Sequence, residues 1–554
     1  QDINQPMTSQ EFVQSMKAVI EFIVDYYENP HKLPVTTAVK PNDIFRTLPS
    51  TAPANPESFE TIFCDFKTVI FYGLVHWNHP RFHAFFQCGR SYPDILAEAI
   101  ISALGTVGFS WAANPAITEL EATVVNWMGR AFGLPEAFLF RASNDAGESS
   151  GGGWIADTAS DAIFNAIMAA RNKRVEESLN ILTVVRTLWN SHVSPCVRYS
   201  LRNEIISRLV AYGSCEAHSS FEKACKLALV RCRALRTKEQ DDWGLVRETV
   251  EKEMVKDKER GLIPFYLHVA IGTTSTATSD HLSQLAPLGA IYEVWVHVDA
   301  AYAGSCWIEP KYRNSMLGME HVDSLNINLH KFFLTSTSVT LFWTRKQQIY
   351  KEAFHVSPVY LRSHHKSNDL RDWGVQLSRR FKALKVWFLL RSYGINGMRA
   401  YINRLIDLSA YFETLILPHP NLRKFGKFNL GVFAVQYCEP GMPESRINYY
   451  TNRLCEFINE SHQLLFTHSA VQGRDIIRML VCYERTTKKD VEESARIFHK
   501  LLDVFIKRKD DPQLLEVDKF SRIPGHRQQL LPHDIDHDVG GSPAVTVLSE
   551  TTVT

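Results

Sequence analysis

The run Val294-Trp-Val-His-Val298 constrains this chain more than any other segment. It is rich in β-branched and aromatic residues and lacks the polar alternation of a half-exposed strand, so it reads as a strand buried on both faces. Such a strand needs helices above and below it. Residues 91–390 supply them: helical stretches alternate with strand-like runs such as Arg208-Leu-Val-Ala-Tyr212 and Phe265-Tyr-Leu-His-Val-Ala270. The expected core is therefore a layered α/β domain. Residues 391–505 read as a smaller α/β domain and residues 1–90 as a helical N-terminal segment. That segment opens on the capping-box pattern Thr8-x-x-Glu11, carries Phe12, Met16, Val19, Ile23 and Tyr27 on one side, and closes at Asn29-Pro30. Beyond Lys507 the chain is polar with scattered Pro and Gly, and residues 506–554 are expected to form a disordered tail.

The first buried run ends in an acid. Asp299 precedes Ala300, Ala301, Ala303 and Gly304, small residues that leave room for a flat ring. A carboxylate in that position is costly unless paired; capping the next turn is the plainer use for it. A second strand-like run, Ser324 to His330, leads to Lys331, and Phe332, Phe333 and the apolar run Val339 to Trp343 follow. Lysine is rare in such surroundings, and desolvation makes an amine a better nucleophile. The alternative is a lysine snorkelling from a strand end. Taken together, the two residues match what pyridoxal phosphate requires. A lysine forms a Schiff base with the cofactor aldehyde, and a carboxylate keeps the pyridine nitrogen protonated so that the ring accepts electrons. Gly151 to Gly153 read as a loop and Ala159 to Arg174 as a helix with Ile163, Ile167 and Ala170 on one face, while Thr158 and Asp161 have capping-box spacing. A helix N-terminus there suits a phosphate as well as an ordinary cap.

Further motifs follow in order over about residues 7–505: His76-Trp77, Arg81-Phe-His-Ala-Phe-Phe86, Ser91-Tyr-Pro93, Gly108-Phe-Ser-Trp-Ala-Ala-Asn-Pro-Ala-Ile-Thr-Glu-Leu-Glu121, Ala217-His-Ser-Ser-Phe-Glu-Lys223, Gly272-Thr-Thr274, Asn328-Leu-His-Lys331 and Ser378-Arg-Arg-Phe-Lys-Ala-Leu-Lys385. In these the chain resembles the group II pyridoxal-phosphate-dependent decarboxylases, the family that includes aromatic-L-amino-acid and histidine decarboxylases. The resemblance implies the fold of the PLP-dependent transferases (aspartate aminotransferase-like, fold type I), an L-amino-acid carboxy-lyase activity, and a homodimer whose N-terminal segments pack on the second subunit and whose active sites are shared. It also implies roles. Lys331 would carry the cofactor, Asp299 would pair with the ring nitrogen, and His218 would stack on the ring face away from the chemistry. Tyr360 would return a proton to the carbanionic carbon. Thr158, Ala159, Ser160, Asn328 and His330 would meet the phosphate, with Thr273, Ala301 and Ser378 completing the cofactor site. Trp77, Phe85, Phe86, Cys88, Val107 and Phe109 would line the substrate pocket. Without the family, His218 reads as a hydrogen-bonded turn residue and Tyr360 as a surface or packing tyrosine.

Several positions depart from the family pattern. Asp157 stands where a glycine or small polar residue is usual and would repel a phosphate dianion unless it turns away. Leu329 replaces a proline, Gln87 and Cys88 replace a proline and a small residue, and the Tyr360–Ser378 loop is a few residues shorter. These changes bear on cofactor affinity and substrate choice, and they leave a catalytically degenerate dimeric homologue as an alternative. Against it, His218 has not become asparagine nor Tyr360 phenylalanine, the changes that mark aldehyde-forming relatives. The expected reaction is decarboxylation of an aromatic L-amino acid (DOPA, 5-hydroxytryptophan or tyrosine) to the biogenic amine, a catecholamine in the case of DOPA, and carbon dioxide. Thr158, Arg362 and Ser378 lean instead towards histidine as substrate. A net charge of +1 gives no reason to expect nucleic-acid or anionic-membrane binding, and no apolar run approaches the roughly 18 residues of a membrane span. Ten cysteines without metal-ligand spacing point to a reducing cytoplasm and to no metal.

Overall fold

The computed structural model of the chain describes residues 7–86, 89–141, 151–188, 194–356 and 369–511. Its main sheet has seven strands: β1 (Gly152–Ala156), β2 (Leu209–Ser214), β3 (Arg231–Leu235), β4 (Ile263–Ala270), β5 (Trp295–Asp299), β6 (Ser324–Asn328) and β7 (Thr340–Thr344), in the spatial order β1-β7-β6-β5-β4-β2-β3. From β6 to β3 all neighbours are parallel, whereas β7 runs antiparallel to both β6 and β1. The central strands are buried along their whole length, as their sequences require. Alternate residues divide between two cores. Val296, Val298, Leu325, Ile327 and Leu341 enter the larger one, while Trp295, Phe342 and Trp154 face the other beneath the helix Ala159–Leu188, which contributes Ile163, Ile167 and Ala170.

A second, antiparallel sheet of β8 (Leu422–Asn429), β9 (Val432–Tyr437), β10 (Thr467–Val471) and β11 (Arg474–Leu480) has the order β10-β11-β9-β8. The helix Glu444–Glu460 packs on it, and the helix Lys488–Arg508 packs on that helix. The helix Ala383–Ile416 bridges the two sheets' layers, touching the helices Tyr92–Leu104 and Pro115–Phe132 on one side and β9 on the other. Residue 390 falls within this bridge, whose helical path is interrupted at Gly394 (φ 63°, ψ 169°). The expected tail starts inside the helix Lys488–Arg508, and residues 512–554 lie outside the described residues.

The N-terminal helix Ser9–Glu28 forms with both capping-box bonds in place: Glu11 N donates to Thr8 Oγ1 (3.2 Å) and Thr8 N to Glu11 Oε2 (2.7 Å). Its apolar residues do not share one buried side as the spacing suggested. Tyr27 is buried and Phe22 packs edge-on against Phe63, Phe66 and Phe71, but Phe12, Val13, Met16, Ile20 and Val24 are exposed. Among the described residues no helix is long and apolar enough to cross a membrane.

The glycine triplet is not a loop. Gly152 and Gly153 open β1, and the reason for glycine is close approach rather than turn geometry. A Cβ at Gly153 would lie 2.1 Å from the Phe342 carbonyl oxygen, and one at Gly151 would lie 2.0 Å from that of Ala137. Gly153→Ala must therefore push β1 away from β7. We expect a loss of about 1–3 kcal/mol of stability, read as a lower urea midpoint at unchanged m-value.

Candidate active site

β5 and β6 are parallel neighbours with Asp299 opposite Asn326, so both strands deliver their C-terminal ends to the same edge of the sheet. Asp299 is the last residue of β5. Lys331 does not end a strand, as its apolar approach suggested: β6 stops at Asn328 and a short helical turn, Leu329–Phe332, carries the lysine. Asn328 caps that turn, its Oδ1 accepting from His330 N at 3.1 Å.

The Asp299 carboxylate is buried and oriented. Its Oδ1 accepts from Ala301 N (3.1 Å) and Asn326 Nδ2 (2.9 Å), and its Oδ2 faces His268 Nε2 at 3.8 Å. Burial pushes its pKa up, but His268, Lys331 and the Asn326 amide outweigh that and hold it below the usual carboxylate value. Lys331 and Asp299 also act on His218, whose pKa is lowered by burial first and by Lys331 second. The three predicted residues therefore share one electrostatic environment. His218 sits in the turn before the helix Ser220–Leu227. Its Nδ1 accepts from Ser220 N (3.2 Å) and lies 2.8 Å from Ser220 Oγ, which leaves the ring proton to Nε2.

Phe86 forms a wall of this site. The Lys331 Nζ lies 5.3 Å from its ring centroid, the Arg478 guanidinium 4.4 Å, and Tyr302 stacks on it at 4.1 Å. Sequence reading passed over Arg478, although an arginine inside Ile476-Ile-Arg-Met-Leu480 was a signal. It is fully buried on β11 and its Nη2 donates to Thr467 Oγ1 (3.3 Å). Burial brings its pKa down to about 10, which leaves it charged at neutral pH. Trp77 and Phe85 stack on each other at 5.3 Å on a more open surface, where Phe85 N donates to Thr467 Oγ1. Val107 is exposed and Phe109 half-buried. The Gly108 N between them donates to the Arg379 carbonyl (2.8 Å), which ties them to the segment holding the exposed Ser378.

At the start of the helix Ala159–Leu188, Thr158 Oγ1 accepts from Asp161 N (3.1 Å), and the Thr158 and Ser160 side chains are exposed. Asp157 is not an isolated charge. Its carboxylate is paired with Lys382 and accepts from Gln376 Nε2, and despite burial these partners lower its pKa. His330 Nε2 lies 2.9 Å from Asn328 Nδ2, and its pKa falls to about 4 through burial and the nearby Lys331 and Lys385. Ala301 is bound to Asp299 as described. Thr273 is buried in a tight turn after β4, its Oγ1 3.4 Å from Thr276 Oγ1 and its N bonded to Thr278 O. Gln87, Cys88, Tyr360 and Arg362 lie outside the described residues. The donor set fits pyridoxal phosphate: an amine for the aldehyde, a carboxylate oxygen not taken by Ala301 or Asn326 for a ring N–H, and free helix N-terminal amides for a phosphate.

The model of the pyridoxal-dependent decarboxylase conserved domain matches residues 41–426. Aromatic-L-amino-acid decarboxylase of Rattus norvegicus is 35% identical over 480 residues, covering 86% of this chain and 94% of that one. Phenylacetaldehyde synthase of Arabidopsis thaliana is 32% identical, over 89% and 96% of the two chains. Among solved structures, Oryza sativa TDC with PLP and tryptamine superposes with a TM-score of 0.83 at 28% identity, over 90% of this chain and 99% of that one.

The Asp157–Lys382 pair offsets a negative charge next to the helix N-terminus. Lys382→Met is expected to weaken pyridoxal phosphate binding roughly tenfold, and adding Asp157→Gly to it should restore the affinity, both measured by equilibrium dialysis.

Proposed function

Because the chain belongs to the pyridoxal-dependent decarboxylases, with pyridoxal 5'-phosphate as cofactor, we propose that it converts an aromatic L-amino acid to the corresponding amine and carbon dioxide. The observation that carries this reading is that Asp299, Lys331 and His218 act on one another, with Lys331 against the Phe86 ring. Bound pyridoxal phosphate supplies the ring that accepts the electron pair of the breaking carbon–carbon bond. The rest falls to residues of this chain. The Lys331 amine would hold the cofactor through its aldehyde carbon. Asp299 Oδ2 would accept from the ring N–H, and the His218 imidazole would pack on the ring. Thr158, Ala159 and Ser160, with Asn328 and His330, hold the phosphate. Thr273, Ala301 and Ser378 close the cofactor site.

The substrate is oriented by charge and by flat surfaces. Arg478, against Phe86, supplies the positive charge that draws in the α-carboxylate. The Phe86–Tyr302 stack and the Trp77–Phe85 pair, with Val107 and Phe109, offer faces for a ring side chain. Tyr360 returns the proton to the α-carbon. Incubation with cofactor and DOPA, 5-hydroxytryptophan, tyrosine or histidine, with amine and carbon dioxide quantified, tests the reading. An aromatic amine is the expected product, and Lys331→Ala should abolish it. Histamine as the main product would favour the histidine-like pattern of Thr158, Arg362 and Ser378. Peroxide and ammonia would replace the reading with aldehyde synthesis, and no turnover of any of the four would favour a catalytically degenerate homologue.

The same reading includes a homodimer. Its support is the apolar surface left on the N-terminal segment and its neighbours: Phe45 is 82% exposed, and Phe12, Ile20, Leu96 and Leu104 are exposed too. Patches of this kind mark association sites, and a second copy of this chain is the occupant we assign. Sedimentation velocity should show a dimer for the full chain, and Phe12→Asp/Ile20→Asp should shift it towards monomer.

A further inference from the structure

His268 has no place in the reading above, yet it lies beside its central acid. It is the sixth residue of β4, opposite His297 of β5 in register, so its side chain shares a sheet face with His297 and, two pairs further on, Asp299. It is wholly buried, and among the described residues neither ring nitrogen has a hydrogen-bond partner. Buried orphans of this kind are uncommon and call for an explanation. Its ring stacks on Phe221 at 4.7 Å and 15°, which fixes the ring plane. Phe221 lies just after the turn that holds His218.

The other groups around it sharpen the question. Asp299 Oδ1 already accepts from Ala301 N and Asn326 Nδ2, whereas Oδ2 has His268 Nε2 at 3.8 Å. His297, 5.9 Å away ring to ring, is held by Ser324 Oγ (2.8 Å) and Asn326 Oδ1 (2.9 Å) and has no nitrogen to spare. His218 is the remaining titratable neighbour, and it acts on His268 through charge alone. Burial brings the pKa of His268 down to about 4, so at neutral pH it is an uncharged imidazole that can donate one N–H. A carboxylate oxygen accepts two hydrogen bonds, and a movement of about 0.8 Å would bring Nε2 to bonding distance.

We propose that His268 is a positioning residue whose Nε2–H donates to Asp299 Oδ2 alongside the cofactor's ring N–H, holding the carboxylate in its charged form and so the ring nitrogen in its protonated one. This rests on the assignment of Asp299 to the ring nitrogen. A neutral donor suits the task, because a cation there would compete with the pyridinium for the same oxygen.

The test uses the full chain loaded with pyridoxal phosphate labelled with ¹⁵N in the ring, and reads the nitrogen's chemical shift in wild type, His268→Phe and His268→Gln. Phe keeps the flat ring on Phe221 without a donor; Gln keeps a donor. Wild type and His268→Gln should show a protonated nitrogen, and His268→Phe an unprotonated one, with kcat lowered about tenfold at unchanged KM, the effect of one unit in the nitrogen's pKa. Should His268→Phe fail to fold, His268→Val makes the same comparison. A protonated nitrogen in the donor-less variant overturns the proposal and leaves the assignment of Asp299 standing. A wild-type chain that forms no coloured adduct with the cofactor overturns both.

Discussion

The parallel pairing of β5 with β6 is the constraint on which the site depends. Parallel neighbours point the same way, so residues that follow them in sequence emerge at one edge. Asp299 and Lys331, 32 positions apart in numbering, meet there because two buried strands stop together. β7 then enters antiparallel on the far side of β6, with Thr340 opposite Asn328 at that edge and Leu341 and Phe342 behind it.

Placing polar groups inside the sheet layer is expensive, and the molecule offsets it by pairing nearly all of them. Ser324 Oγ accepts the Trp295 indole N–H (2.8 Å) and donates to His297 Nδ1, Asn326 bridges His297 to Asp299, and Asn328 caps the turn of Lys331. These residues alternate along β6 on one face, so the row that supports the acid is also the row that ends in the lysine's turn. Full satisfaction of such a row fixes geometry. The orientation of the Asp299 carboxylate thus follows from strand register rather than from any ligand.

The layered α/β core, the buried strands and the acid–lysine pair were legible because each is written locally, in runs of five or six residues. The glycine triplet was misread because the same three letters serve a turn or a close strand pairing, and only the position of Phe342 decides between them. The N-terminal helix was found, but which of its apolar residues are covered depends on Phe63, Phe66 and Phe71, far along the chain. Asp157 posed a question that sequence could not answer, since its partners Lys382 and Gln376 are more than two hundred positions away. Arg478 and His268 were hidden for a common reason. Each is a polar residue flanked by apolar ones in its strand, and its meaning comes from a ring or carboxylate on another element.

Arg478 has a consequence for how the chain is made. Its guanidinium presses on Phe86, the ring that also flanks Lys331, so the pocket wall is assembled from the beginning, middle and end of the polypeptide. A ribosome exports the lysine well before it exports β11. A nascent chain therefore carries its reactive amine without the lining that later surrounds it, and chain termination ahead of β11 would leave that amine on an unfinished wall.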